Sequence, residues 1–278
     1  MSLLERLIGH HGFSCGRFIR WAALLLLAVA GVFPCGDRSA RAAAPAFGPA
    51  NDRGAVLPPT MLWAWERNED LGFLDVRTAG VAFLSRRCLL RGEETIVRRR
   101  RQPLKVPPGC VLEAVIRIES DGKHPPLLSA GQMERVIREV AEASAVPGVK
   151  AVQIDFDARL SQRTFYREML RRTRDILPDS MPLSITALAS WCMYDDWVSG
   201  LPVDQVVPML FRMGLDGGRI RSDIRRRGEF LSSACRRAIG ICTDEPVSLP
   251  LRGKRTYIFH PRRWTEDSFR SRSQEVAR

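Results

Sequence analysis

The sequence predicts an α/β protein, a single (β/α)8 TIM-like barrel of somewhat irregular outline over residues 60–278. Three observations predict it. Eight short apolar or alternating segments recur along the chain, most separated by the dozen or more residues that a parallel crossover needs. Helical stripes at 3/4 spacing fill several of the gaps. Polar and charged residues stand at nearly every strand end, where the mouth of a barrel gathers them. A doubly wound open sheet is the competing architecture. No Gly-rich phosphate loop follows the first strand, which argues against a dinucleotide fold, and no cofactor is expected.

The first strand is Met61–Trp65, ending in Glu66-Arg67, and a short helix is expected over Glu69–Leu74. Gly80–Leu84 is the second strand. A β-hairpin then replaces the usual helix, because Cys88–Arg91 and Thr95–Val97 flank Gly92-Glu93-Glu94. Val111–Glu119 is the third strand, with Glu113, Val115, Arg117 and Glu119 on one face. Ser129 and Gln132 form a capping box, and Met133, Val136, Ile137, Val140 and Ala141 make the buried stripe of the following helix. Ala151–Asp157 is the fourth strand. Val152, Ile154 and Phe156 face the helices, and Gln153, Asp155 and Asp157 face the barrel interior. Its helix runs over about residues 162–177 with Phe165, Tyr166, Met169, Leu170, Ile176 and Leu177 inward. Pro182–Leu188 is the fifth strand, followed by a short fifth helix near Tyr194–Leu201. Val206–Met213, Ala238–Cys242 and Thr256–His260 complete the eight, with a basic helix near Arg219–Arg236 and a last helix starting at Trp264-Thr265.

Residues 1–42 differ from the rest. Arg17 and Arg20 precede an apolar run from Trp21 to Val32, and small-residue sites follow at Ala40-Arg41-Ala42 and Ala42-Ala43-Ala44. This is the pattern of a secretory signal, and the run is shorter than the ~20 residues that span a bilayer. Export to the periplasm or the exterior is expected; an uncleaved N-terminal membrane anchor is the alternative. Residues 43–59, rich in Ala, Pro and Gly, read as a flexible leader. After the leader is removed Cys88, Cys110, Cys192, Cys235 and Cys242 remain, which permits two bridges and one free thiol, or none. They lack C-x-x-C spacing and only His124 and His260 accompany them, so no metal site is expected.

The formal net charge is +12. Arg98-Arg99-Arg100-Arg101 is the densest basic run. Nucleic acid is not the expected partner, since no aromatic-interleaved motif accompanies the run and an exported protein rarely meets it. A solvated hairpin edge is the simpler reading. Attraction to anionic polysaccharide or a membrane surface is the functional one.

If the strands close, their ends bring together Trp65, Glu66, Arg117, Glu119, Gln153, Asp155, Asp157, Trp191, Arg212, Asp244, Glu245, His260 and Trp264. Carboxylates flanked by tryptophans suit sugars: acids transfer protons and rings stack on pyranose faces. The strings Trp63-Ala64-Trp65-Glu66-Arg67, Val152–Asp157, Leu183–Cys192, Pro208–Met213 and Phe259-His260-Pro261 together resemble the bacterial family of unknown function DUF3142, over roughly residues 60–265. That resemblance implies a barrel-like fold and no defined activity. A weaker likeness is to chitinase-like family 18 glycosidase barrels, whose fourth strand ends D-x-x-D-x-D-x-E. It implies that Asp157 takes the place of the catalytic glutamate as general acid, with Asp155 tuning its pKa. Glu245 or Glu119 would then be base or nucleophile. Trp65, Glu66, Arg117, Gln153, Trp191, Arg212, Asp244, His260 and Trp264 would bind substrate. Two departures stand out: the acid is one methylene shorter, and Met209-Leu210-Phe211-Arg212 replaces the Met-x-Tyr-Asp of the sixth strand.

Structural readings compete with each of these. Asp155 and Asp157 pair with Arg117 and Arg212 to hold strands in register, the tryptophans are core, His260 is a satisfied barrel histidine, and Asp244-Glu245 makes a turn before Pro246. The sequence therefore predicts an exported glycoside-hydrolase-like barrel acting on or binding carbohydrate. Its alternative is a non-catalytic, envelope-associated scaffold.

Overall fold

The computed structural model describes residues 53–246 and 253–277; the expected signal segment lies outside the described residues. Eleven strands are present among them. In chain order these are β1 Thr60–Ala64, β2 Glu69–Asp70, β3 Ala79–Arg91, β4 Glu94–Arg99, β5 Leu104–Lys105, β6 Leu112–Ser120, β7 Val149–Phe156, β8 Leu183–Leu188, β9 Gln205–Met209, β10 Ala238–Cys242 and β11 Arg255–Phe259. β1 pairs in parallel with both β11 and β3, and the order β3-β6-β7-β8-β9-β10-β11 completes the circle. The result is a closed eight-stranded parallel barrel, the (β/α)8 fold the sequence predicts. Closure leaves β4 as the one strand of this sheet with an open edge.

The helices among the described residues are α1 Ala130–Ser144, α2 Arg163–Ile176, α3 Ala189–Tyr194, α4 Gly217–Arg227 and α5 Glu266–Ala277. The capping box of α1 forms, with Gln132 N donating to Ser129 Oγ at 3.2 Å and Ser129 N to Gln132 Oε1 at 3.3 Å. Its buried stripe continues from Val140 to Ala143, with Ala141 exposed, because the position one turn on lies three residues away. Ile176, the last residue of α2, is likewise exposed where inward packing was expected.

Two cores result. Val152, Ile154 and Phe156 join the layer between sheet and helices, with Val136, Val140, Tyr166 and Met169. Met61, Trp63, Ala82, Val115, Ala151, Val207, Met209, Phe211, Tyr257 and Phe259 fill the barrel itself. The alternation read from β7 therefore holds. Gly240 is a glycine because a Cβ there would stand 2.8 Å from the Trp63 ring. Leu57 sits in the same interior cluster, and Arg255 donates to the Gly54 and Leu57 carbonyls at 2.8 Å each. The described end of the leader is thus built onto the barrel floor.

The structure departs from the expected elements in several places. The short fifth helix lies over Ala189–Tyr194, ahead of the expected Tyr194–Leu201, and the basic helix ends at Arg227 rather than Arg236. No helix covers Glu69–Leu74; β2 pairs there with β5. The second strand and the hairpin's first arm are one long strand, β3, bulged between Leu84 and Arg86. The sixth strand ends at Met209 rather than Met213: Leu210 N donates to Gly240 O and Arg212 adopts a left-handed φ of 54°. Among the described residues, no helix is long and apolar enough to cross a membrane.

Candidate functional site

The barrel interior carries two polar layers below its mouth. In the lower one Trp63 Nε1 donates to Gln153 Oε1 at 2.7 Å, Gln153 Nε2 to Ser184 Oγ at 3.0 Å, and Ser184 Oγ to Glu113 Oε1 at 2.7 Å. Every donor in this chain points toward Glu113. Tyr257 adds a further hydrogen bond and itself accepts from Gln205 Nε2 at 3.3 Å. Complete burial pushes the Glu113 carboxyl up to about 7, against the opposing hydrogen bonds of Ser184 and Tyr257. Gln153, expected to touch substrate, is consumed in this sealed layer; it has no exposed surface.

The upper layer is charged. Arg117 NH1 donates to Asp155 Oδ2 at 2.5 Å, and its Nε to Glu119 Oε1 at 2.8 Å. Thr186 Oγ1 donates to Asp155 Oδ1 at 2.8 Å, and Arg87 pairs with Glu119. Burial opposes ionisation of Glu119, yet Arg117 and Arg87 together hold its carboxyl below the usual range. Burial likewise opposes the Arg117 charge, which Asp155 and Glu119 more than restore. The three are 1% (Asp155), 3% (Arg117) and 8% (Glu119) exposed, so this group forms the floor of the mouth rather than a surface open to a polymer. Asp157 follows β7 directly and is partly exposed; its charge acts on Arg117 and on the buried Tyr166 hydroxyl. Burial, then Asp155 and Asp157, push that phenol well above its ordinary range.

An aromatic sector faces this charged one. Phe211 and Phe259 stack with centroids 5.7 Å apart, and Trp65 meets Phe259 edge-on at 6.3 Å. Trp65 joins the two sectors, since the Arg117 guanidinium lies 5.7 Å from its ring centroid.

A second cluster occupies the rim after β9 and β10. Arg212 pairs with Asp244 and donates to Glu245 Oε1 from NH1 at 2.6 Å and from its backbone N at 2.9 Å; Arg221 holds Oε2 at 2.9 Å. Glu245 thus supports the left-handed backbone of Arg212. Burial opposes ionisation of Asp244, but Cys242 and Arg212 keep its carboxyl low. Burial, then the Asp244 carboxylate, push the Cys242 thiol up to about 12. His260 accepts or donates through Nδ1 to Thr243 Oγ1 at 2.5 Å and packs on Trp264 at 5.0 Å. Burial, aided by Arg262 and Arg67, lowers its pKa and favours the neutral ring.

The structure thus brings together Trp65, Arg117, Glu119, Asp155 and Asp157, and separately Arg212, Asp244 and Glu245. Arg212 does not reach the β7 carboxylates it was expected to pair with. Trp191 and Trp264 fall on the helical side. Trp191 lies 5.0 Å from Trp197, and Trp264 donates through Nε1 to Trp63 O at 3.0 Å. Glu66 is exposed beside the hairpin. Arg87 and Thr186 belong to the charged layer without having been singled out from sequence. For Thr186 a signal existed, its phase with Ser184 on β8; for Arg87 the bulge removed it. Among the described residues, no group of three or more His, Cys, Asp or Glu side chains is arranged to hold a metal ion.

Fold and site define a class: a parallel β/α barrel whose C-terminal mouth sets buried, arginine-clamped carboxylates against an aromatic sector. No family model matches the chain, and no curated protein matches it. Among solved structures it is similar to the Bacillus cereus spore cortex-lytic enzyme SleL, at 14% identity and a TM-score of 0.46. That match covers 66% of this chain and 51% of the other, so it spans about half of that enzyme's length.

Proposed function

We propose that this chain is an exported barrel of glycoside-hydrolase type that takes carbohydrate at its C-terminal mouth, with Asp157 as its proton donor. The observation that carries the reading is the end of β7: Asp157, partly exposed, follows the strand directly, and its charge acts on Arg117, which is clamped to Asp155 and lies over the half-buried Trp65 ring. Glycosidic cleavage uses a pair of carboxyl groups, and aromatic rings can stack on the sugar faces. Asp155 acts as a positioning residue, its carboxylate committed to Arg117 and Thr186. The second carboxyl group is Glu245 or Glu119; Glu119 is held between Arg87 and Arg117, and Glu245 between Arg212 and Arg221. The Cys192–Cys235 disulfide supports export, since such bonds persist in oxidising compartments. The likeness to DUF3142 belongs to the same proposal.

The test is a screen of the purified full chain on envelope and exopolysaccharide glycans, with Asp157→Asn as its control. Loss of turnover with retained glycan binding is the expected result; equal turnover by both proteins removes Asp157 from the mechanism. A second reading, a non-catalytic glycan-binding scaffold, draws on one observation. Glu245 is engaged by Arg212 and Arg221, so each proposed partner of Asp157 is already in an ion pair. Binding that Trp65→Ala abolishes, with no turnover of any glycan, would select it.

A further inference from the structure

The basic run at Arg98–Arg101 does not behave as one solvated stretch. Arg100 turns inward and donates to the carbonyls of Ala64, Trp65 and Arg67 at 3.3, 2.5 and 2.5 Å, capping the end of β1. Arg99 turns to α1, where Glu142 takes it at 2.5 Å and the buried Glu139 at 3.5 Å. Arg135 shares Glu139 at 3.0 Å. Arg98 and Arg101 pair with no described acid. Together with Glu66, Val97, Arg99 and Arg135 they line a cavity of about 580 Å3. Successive strand residues point to opposite faces, so a cavity lined by Val97, Arg98 and Arg99 wraps the open edge of β4.

This cavity is continuous in register with the mouth. Arg98 stands opposite Arg87 on the β3–β4 ladder, Arg87 opposite Arg117, and Arg117 opposite Asp155. Arginine positions therefore stand in register from the open edge to Asp155 of β7. The loop that Arg100 ties down also holds both Trp65 of the mouth and Glu66 of the cavity. The four arginines of the lining face one lining carboxylate, and the volume lies within the ~300–1,000 Å3 of ligand sites.

We propose that this cavity is a subsite for acidic polysaccharide. It would hold carboxylate-bearing sugars on Arg98 and Arg101, at the open edge of β4 beside the loop that carries Trp65 and Glu66. The inference rests on the carbohydrate reading above and names its substrate class. Guanidinium matches a planar carboxylate with two parallel hydrogen bonds, which a neutral sugar does not offer. The competing account is that these arginines only guard an edge strand against pairing with another chain, and it predicts no ligand.

The experiment measures binding of the full chain to polygalacturonate, to its fully methyl-esterified counterpart, and to phosphatidylglycerol vesicles. It compares the wild type, Arg98→Ala/Arg101→Ala, Arg98→Lys/Arg101→Lys and Trp65→Ala. The double alanine variant is expected to weaken polygalacturonate binding about ten- to a hundredfold, with the lysine variant in between and the melting temperature unchanged. The esterified polymer is expected to bind all arginine variants alike. Equal binding of polygalacturonate by wild type and double alanine variant overturns the subsite, and if Trp65→Ala still lowers that binding, the carbohydrate reading survives. Binding to vesicles alone, lost with the same arginines, overturns the subsite in favour of a membrane surface. Binding of neither polymer overturns both readings.

Discussion

Arg117→Met keeps much of the side chain's length and removes its charge, so it isolates what the guanidinium does. Arg117 touches Asp155 at 2.5 Å and Glu119 at 2.8 Å, and none of the three exceeds 8% exposure, so water screens the loss very little. Removing one member of a buried ion pair leaves an uncompensated charge and costs about 3–5 kcal/mol. Here two carboxylates are stranded, but Asp155 keeps Thr186 and Glu119 keeps Arg87, which places the expected cost near about 4 kcal/mol. At roughly 2–4 °C per kcal/mol for a domain of this size, melting falls by about 8–16 °C. The pH dependence carries a sign. In the native barrel Glu119 titrates below its ordinary 4.5, so its contribution is complete above that value and is lost as pH falls through the lower folded one. Without Arg117 the burial of Glu119 is less opposed and its carboxyl titrates higher, so the variant's penalty shrinks as Glu119 protonates. Urea and thermal unfolding followed by circular dichroism at about pH 7 and about pH 4 measure both effects. A penalty below about 1 kcal/mol, or one that is equal at the two pH values, would refute the clamp as described.

The lower layer predicts the opposite slope. Burial raises Glu113 from 4.5 to about 7, worth roughly 3 kcal/mol, so stability is greatest below pH 4.5 and is lost as pH rises through about 7. Glu113→Gln keeps the acceptor for Ser184 and should abolish that slope in urea titrations; an unchanged slope would place the titration elsewhere. Gly240→Ala puts a methyl group 2.8 Å from a Trp63 ring that Gln153 anchors, and should cost about 1–3 kcal/mol; a wild-type urea midpoint would show that the ring moves aside. The Cys192–Cys235 bridge spans 43 residues, which corresponds to about 4 kcal/mol of restricted unfolded chain. Its double serine variant should therefore melt well below the oxidised protein and level with the reduced one. Melting of that variant level with the oxidised protein would leave the bridge without a stabilising role.

What the sequence made legible follows from how local each determinant is. The β7 strand could be read because its alternation runs unbroken and its two faces meet different solvents, one apolar and one polar. The β3 strand could not. Leu84 faces inward opposite Val115, but beyond the bulge it is Arg87, opposite Arg117, that faces inward, so the phase changes within the strand. Periodicity therefore lost Arg87 at the point where it entered the site. The end of β9 failed for a different reason. Val206–Met213 is apolar enough to read as strand throughout, and what stops it is the turn at Arg212, held by a carboxylate 33 residues away. Trp191 and Trp264 show the limit of the strand-end argument. The chain leaves the sheet there and bends outward, so a ring one or two residues past a strand belongs to the helical layer.

The Arg117–Asp155 pair was read in two competing ways, as chemistry or as register, and its geometry joins them. Buried ion pairs add little net stability, and their best-attested use is to specify one arrangement over its neighbours. Arg117 and Asp155 are direct partners on the β6–β7 ladder. A slip of one residue by either strand would turn its own charge into the layer now filled by Ile116, Ile118, Ile154 and Phe156 and leave the partner unpaired. The pair therefore excludes the slipped register far more strongly than it stabilises the native one. Fixing the register also fixes the end of β7, which Asp157 follows directly. A clamp that adds little net stability thus sets the register of the strand end from which Asp157 follows.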